Sequence, residues 1–222
     1  MLPVVVTMSL PAGNASTIAQ AQSSTSGFLQ LNGTLGTAAG GVLGTYQQRV
    51  TVTSGGNDSG IYFHLIGLNQ AGFTVSEFLT GASTTVAQSN LDYRSIISIQ
   101  PSASSVAQTL ATTASTVSAG TNGVGSSLWN IVNWHDTPVN VSYGCVLQAG
   151  AATFSIQYTY DDPNNLPFGV PYPQPFNHPT IVNATATIDG SSNEPFTGWR
   201  LLMSAGTGTV RAIGTQAGIS GP

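Results

Sequence analysis

Helical signal is almost missing from this sequence, and that absence restricts the fold more than any motif does. The stretch 102–116 holds some Ala and Leu but is saturated with Ser and Thr, which favour turns and caps over helix interiors. Strand signal recurs throughout. Arg49-Val50-Thr51-Val52-Thr53 alternates, meets a Gly/Asn/Asp turn at Ser54 to Gly60, and is followed by a strand at Ile61 to Ile66, which predicts a hairpin. Phe73 to Leu79 and Tyr93 to Ile99 read as two further strands. A second hairpin is predicted from Val139 to Leu147 and Thr153 to Tyr160, turning near Gln148-Ala149-Gly150. A third is predicted from Trp199 to Met203 and Thr209 to Ile213 around Gly206-Thr207-Gly208. Short strands with Gly-rich turns at this spacing predict an all-β chain built of β-sandwich or jelly-roll-like domains.

Two domains are expected: 1–122, an N-terminal arm plus a first sandwich, and 123–222, a second sandwich. The segment from Gln100 to Gly125 is rich in Ser, Thr, Ala and Gly and carries no charge, as a linker or surface excursion would. A faint internal echo, Arg49 to Ser54 running on to Gln70-Ala71-Gly72 and Arg200 to Ser204 running on to Gln216-Ala217-Gly218, fits either a duplicated β unit or chance in low-complexity β sequence.

The surface of such a chain has to be made without ions. Only 5% of the residues are charged, against roughly 25% in an average globular domain. Lysine is absent; the cations are Arg49, Arg94, Arg200 and Arg211. Neutral polar groups cost less to desolvate than ions, and Lys and Glu are depleted at interface cores. The composition therefore points to a surface that rests against other subunits, with an extracellular adhesin or secreted β domain as the alternative. Four scattered arginines in a chain of net charge −4 argue against nucleic acid as a partner. No apolar run approaches the roughly 20 residues of a spanning helix, so no membrane partner is expected. The opening Met1-Leu2-Pro3-Val4-Val5-Val6 lacks a basic segment and is interrupted by Pro3 and Pro11, so it is not read as a signal peptide. Both chain ends are expected to be held by neighbouring subunits.

Candidate chemistry is sparse. Cys145, the single cysteine, lies in an apolar run and reads as a small buried hydrophobe. Asp161-Asp162-Pro163-Asn164-Asn165 is the densest set of oxygen ligands, yet it lacks the spaced ligands of a calcium loop and reads as turn chemistry. His135-Asp136 resembles half a triad, but adjacent strand residues point to opposite faces and no nucleophile elbow accompanies them. His64 reads as a strand residue and His178 as part of a proline-rich loop. Glu77 with Asp92 is the carboxylate pair to examine for glycoside hydrolysis. Trp129, Trp134 and Tyr143 are candidates for a sugar-stacking platform, although aromatics in sandwiches belong mostly to the core. No catalytic residue, metal or cofactor is expected, and the chain is read as non-enzymatic.

Several segments of the second half, taken in order, carry a resemblance. They are Ser127-Leu128-Trp129, Asn133-Trp134, Pro138 to Ser142, Thr153 to Pro163, Phe176-Asn177-His178-Pro179, Trp199-Arg200-Leu201 and Gln216 to Ile219. With Gln48 to Ser54 and Asn57 to Gly60 in the first half, this pattern resembles the small structural proteins of tailed-bacteriophage virions. The resemblance implies a virion component with no catalytic residues. The expectation is a capsid decoration (cement) protein that clamps neighbouring major capsid subunits on the capsid surface as a homotrimer. A tail or head–tail connector component and a glycan-binding adhesin module are the alternatives. Stiff proline-rich segments lose little entropy on docking, and Pro163 to Pro179 holds six prolines in seventeen residues. The interface candidates are therefore Met1, Leu2, Pro3 and Val4 of the arm, with Pro167, Pro171, Tyr172, Pro173, Pro175 and Phe176 of this loop.

Overall fold

A computed structural model of the chain describes residues 3–25, 27–37, 43, 46–103, 112–134, 139–166 and 172–217. All regular structure in them is β. The strands are β1 (Val4–Ser9), β2 (Asn14–Thr25), β3 (Gln47–Ser54), β4 (Ile61–Leu68), β5 (Thr74–Thr80), β6 (Val86–Tyr93), β7 (Ser95–Ala103) and β8 (Thr112–Ser126). They continue with β9 (Asn130–Ile131), β10 (Asn140–Ala149), β11 (Ala152–Thr159), β12 (Phe176–Asn177), β13 (Ile188–Ser192), β14 (Gly198–Gly206) and β15 (Thr209–Ala217). The chain divides into two compact units, Gly13–Asn122 and Met1–Ala12 with Gly123–Pro222.

In the Gly13–Asn122 unit, a three-stranded sheet of order β5-β4-β7 is accompanied by pairings of β3 with β6 and of β2 with β8. Alternation drives this arrangement. On β4, Ile61, Phe63 and Leu65 turn inward while Tyr62, His64 and Ile66 are only partly covered. Val50 and Val52 of β3, Val75 and Leu79 of β5, Tyr93 of β6, and Ile96 and Ile99 of β7 join Phe63 and Leu65 in one core. Each such side chain, fully buried, contributes about 1.5–3 kcal/mol.

In the other unit, a four-stranded sheet of order β1-β15-β10-β13 lies opposite β12-β11-β14, with β9 and the end of β8 also on β14. Val141, Tyr143 and Cys145 of β10 alternate inward, as do Phe154 and Ile156 of β11 and Trp199, Leu201 and Met203 of β14. The Tyr143 ring meets the edge of Trp199 from the facing sheet at 5.5 Å.

Three expectations need correction. The N-terminal arm does not join the first domain: β1 pairs with β15 from Val4↔Gly214 to Ser9↔Thr209, and Met8 and Leu10 are buried. On β1, Val4, Val6 and Met8 alternate as the more covered side while Val5, Thr7 and Ser9 are exposed. Second, the described residues of the uncharged segment from Gln100 to Gly125 are strand, in β7 and β8, because β-branched Thr and Val suit extended backbone without strong hydrophobicity. Third, none of the three expected hairpins is a hydrogen-bonded pair. β3 and β4, β10 and β11, and β14 and β15 each fall in different sheets. The stretch read as one strand from Tyr93 to Ile99 is also two, since β6 ends at Tyr93 and β7 begins at Ser95.

Candidate functional site

Most of the residues singled out for chemistry are occupied with holding the fold. Both Glu77 oxygens accept backbone N–H groups of β6, from Asn90 at 2.9 Å and Leu91 at 3.2 Å, and the Tyr93 hydroxyl donates to the same carboxylate at 3.0 Å. Burial and the Glu77 charge push the Tyr93 hydroxyl well above the ordinary phenol range. Asp92 pairs instead with the Arg49 guanidinium at 3.3 Å. Asp161 accepts the backbone N–H of Gln174, 13 residues on, at 2.7 Å, and Asp162 accepts that of Asn164 at 3.0 Å in the Asx turn expected around a proline. Among the described residues, no group of three or more His, Cys, Asp or Glu is arranged to hold a metal ion. Cys145 is fully buried, and desolvation pushes its thiol up to about 12. His135 and Asp136 lie outside the described residues.

The expected platform of Trp129, Trp134 and Tyr143 is not assembled. Trp129 and Tyr143 are buried, and Trp134 alone of the three is exposed. Trp129 lies under Arg200, whose guanidinium carbon is 4.6 Å from the ring centroid. Arg200 is itself buried and donates to Gln157 and Ser126, each at 3.0 Å. This is a cation held inside a β unit by neutral acceptors and a π face.

A different aromatic group reaches the surface. Tyr158 near the end of β11 meets the ring of Tyr160, one residue beyond the strand, at 5.7 Å, and Phe176 of β12 pairs with Tyr158 across the strands. Phe176 stacks on Tyr158 at 5.9 Å and meets Tyr160 edge-on at 5.4 Å, while Tyr158 also contacts the buried Phe196 at 5.8 Å. Tyr160 is 50% exposed and Phe176 41%. Beside these rings runs a groove of about 440 Å³, lined by Tyr158, Asn177, Pro179, Ser191, Asn193 and Glu194 among others. The Tyr160 hydroxyl reaches Glu194 at 3.4 Å, which joins the ring cluster to the polar wall.

His178 holds the two walls together. Its Nδ1 accepts the backbone N–H groups of Thr180 at 3.2 Å and Ile181 at 3.1 Å. Its Nε2 lies 3.2 Å from the Ser191 carbonyl, which can only accept, so the ring is neutral with its proton on Nε2. Burial lowers its pKa from the usual value, with the Ser191 bond acting in the opposite direction.

The interface candidates divide. Met1, Leu2, Pro167 and Pro171 lie outside the described residues. Pro3, Tyr172 and Phe176 are exposed, Val4 and Pro175 are half-buried, and Pro173 is buried. The groove residues Asn177, Ser191, Asn193 and Glu194 were missed by sequence reasoning. The two-residue spacing of Tyr158 and Tyr160 at a strand end was the available signal.

Comparison with family models, curated proteins and solved structures finds no match for the chain.

Proposed function

We propose that this chain is a structural subunit of a tailed-bacteriophage virion, a capsid decoration protein bound in many copies to the major capsid protein and to copies of itself as a homotrimer. The observation that carries this reading is the outer side of the β5-β4-β7 sheet. Phe78 is 66% exposed, stacked on His64 at 4.4 Å, and Ile97 is 52% exposed. β5 is an edge strand, and its one charged side chain, Glu77, is turned toward the β6 amides. Soluble β proteins protect such edges with lysines, prolines or inward charges; here Glu77 is turned inward, and the outward side chains of β5, Thr74, Ser76, Phe78 and Thr80, carry no charge. An uncharged face carrying exposed apolar side chains suits a subunit whose edge is covered in a lattice, where many modest contacts add through avidity.

Quantitative mass spectrometry of purified particles tests the assignment. A decoration protein is present in numbers comparable to the major capsid protein, whereas a ring component of the tail or connector is present in only a few copies. Particles lacking the chain should also lose heat resistance; unchanged resistance would remove the cementing role.

A further inference from the structure

We infer that the groove beside Tyr158, Tyr160 and Phe176 is a binding site for neutral carbohydrate. The inference concerns one unit of the chain and stands independently of the virion reading.

Three properties of the groove select this ligand class. Its aromatic side offers ring surface to solvent, and the C–H faces of sugar rings stack on such surfaces as other apolar groups do. Tyr158 lines the groove, and Tyr160 and Phe176, in ring contact with it, flank the groove; they are far more exposed than the core aromatics Tyr143 and Trp199, at 50% and 41% against 2% for both core rings. Its lining also carries neutral hydrogen-bonding side chains, Asn177, Ser191, Ser192 and Asn193, with the Glu194 carboxylate as an added acceptor. Sugar hydroxyls both donate and accept, and amide and hydroxyl side chains answer them in both senses. Finally, among the described residues no arginine lines the groove. Phosphate, sulfate or sialic acid would meet Glu194 without a counter-charge, so the ligand is uncharged. The volume falls within the roughly 300–1,000 Å³ of small-molecule clefts, large enough for a short oligosaccharide rather than a folded partner.

The walls are also pre-formed. Tyr158 is held by Phe196 and Phe176, and Asn177 sits on β12 with its Oδ1 accepting from the Gln157 side chain at 2.9 Å. The buried His178, flanked by the groove residues Asn177 and Pro179, ties this wall to Ser191. A ligand therefore loses little to ordering of the site.

The test uses the full-length chain on a printed array of neutral and acidic glycans, followed by saturation-transfer NMR with the neutral hits, 3′-sialyllactose and a proline-rich peptide. Binding of neutral glycans is expected, weakened about tenfold in Tyr160→Ala and in Phe176→Ala. Phe176→Leu keeps apolar bulk and should show the same loss if the ring face is what binds; an unchanged melting temperature establishes that it is folded. Phe73→Ala, which removes an exposed ring in the other unit, should bind as the unaltered chain does. No neutral glycan bound on the array, preference for the sialylated sugar, binding of the peptide alone, or full binding by both folded Phe176 variants would each overturn the inference. None of these outcomes bears on copy number in particles, so the two readings fail separately.

Discussion

Single residues in this fold are constrained by close approach more than by charge. Gly214 lies on β15 under the Trp199 indole, and a Cβ added there would come within 2.4 Å of the ring carbon Cζ2. Gly144, on the neighbouring strand and paired nearly opposite at Ile213, would place its Cβ in open space. Gly214→Ala should therefore destabilise this unit by about 1–3 kcal/mol through overpacking. Gly144→Ala should be neutral or stabilising by about 0.4–1 kcal/mol, since it only narrows the unfolded ensemble. Urea unfolding followed by tryptophan fluorescence distinguishes the two, and equal midpoints would contradict the Trp199 packing. His178 supplies a second test at this scale. Its folded pKa lies below the ordinary value near 6.5 because burial disfavours the cation, so the unfolded chain binds the proton first as pH falls. The stabilising effect of the neutral ring is complete above the unfolded pKa and is lost as pH drops below it. Protonation of Nδ1 would also set an N–H against those of Thr180 and Ile181. The melting temperature should fall between about pH 7.5 and pH 5, and by less in His178→Asn, which removes the titrating group.

At the scale of elements, what the sequence made legible was where the chain turns, and what it left hidden was which sheet the chain turns into. β10 pairs with β15 while β11 pairs with β14, so the connections β10–β11 and β14–β15 both cross from one sheet to the other. The two corners pass side by side: the Gly208 amide donates to the Ala151 carbonyl at 2.9 Å, and a Cβ at Gly206 would fall 2.2 Å from that oxygen. Glycines at 206 and 208 thus serve a close crossing, although they look like a hairpin turn, because both need compact backbone and a positive φ at Gly206. The strand content of 112–126 was hidden for another reason. Its neutral polar residues give no apolar alternation to read, even though Ala119 is buried among core side chains. The site was partly legible: Tyr158 and Tyr160 are near neighbours in the sequence, whereas Glu194 meets Tyr160 only through the tertiary fold, 34 residues away. The N-terminal strand offers the direct test at this scale. Removing residues 1–12 strips Met8 and Leu10, both buried, and uncovers the β15 edge. The loss should be about 3–6 kcal/mol from those two side chains. Hydrogen exchange should accelerate at β15 amides while β4 and β7, in the other unit, keep their protection.

For the molecule as a whole, the decisive property is how little its energetics depend on ions. With four arginines and eight carboxylates in 222 residues, electrostatic screening has few targets. The ion pair of Arg49 with Asp92 joins a side chain that is 33% exposed to one that is 8% exposed, and so is partly sheltered from salt. Contacts made through faces such as that of Phe78 and Ile97 draw instead on apolar burial, which excluded salts strengthen. Self-association of the purified chain, followed by sedimentation equilibrium, should therefore change less than about threefold as sodium chloride rises from low to physiological strength and beyond. Ammonium sulfate should tighten it. Phe78→Asp should weaken it by about tenfold or more, because a carboxylate would then have to be desolvated at the contact. Steep weakening by sodium chloride, with Phe78→Asp behaving as the unaltered chain, would mean that the subunits meet through their few ions. The ion-poor apolar face would then lose its place as the basis of assembly.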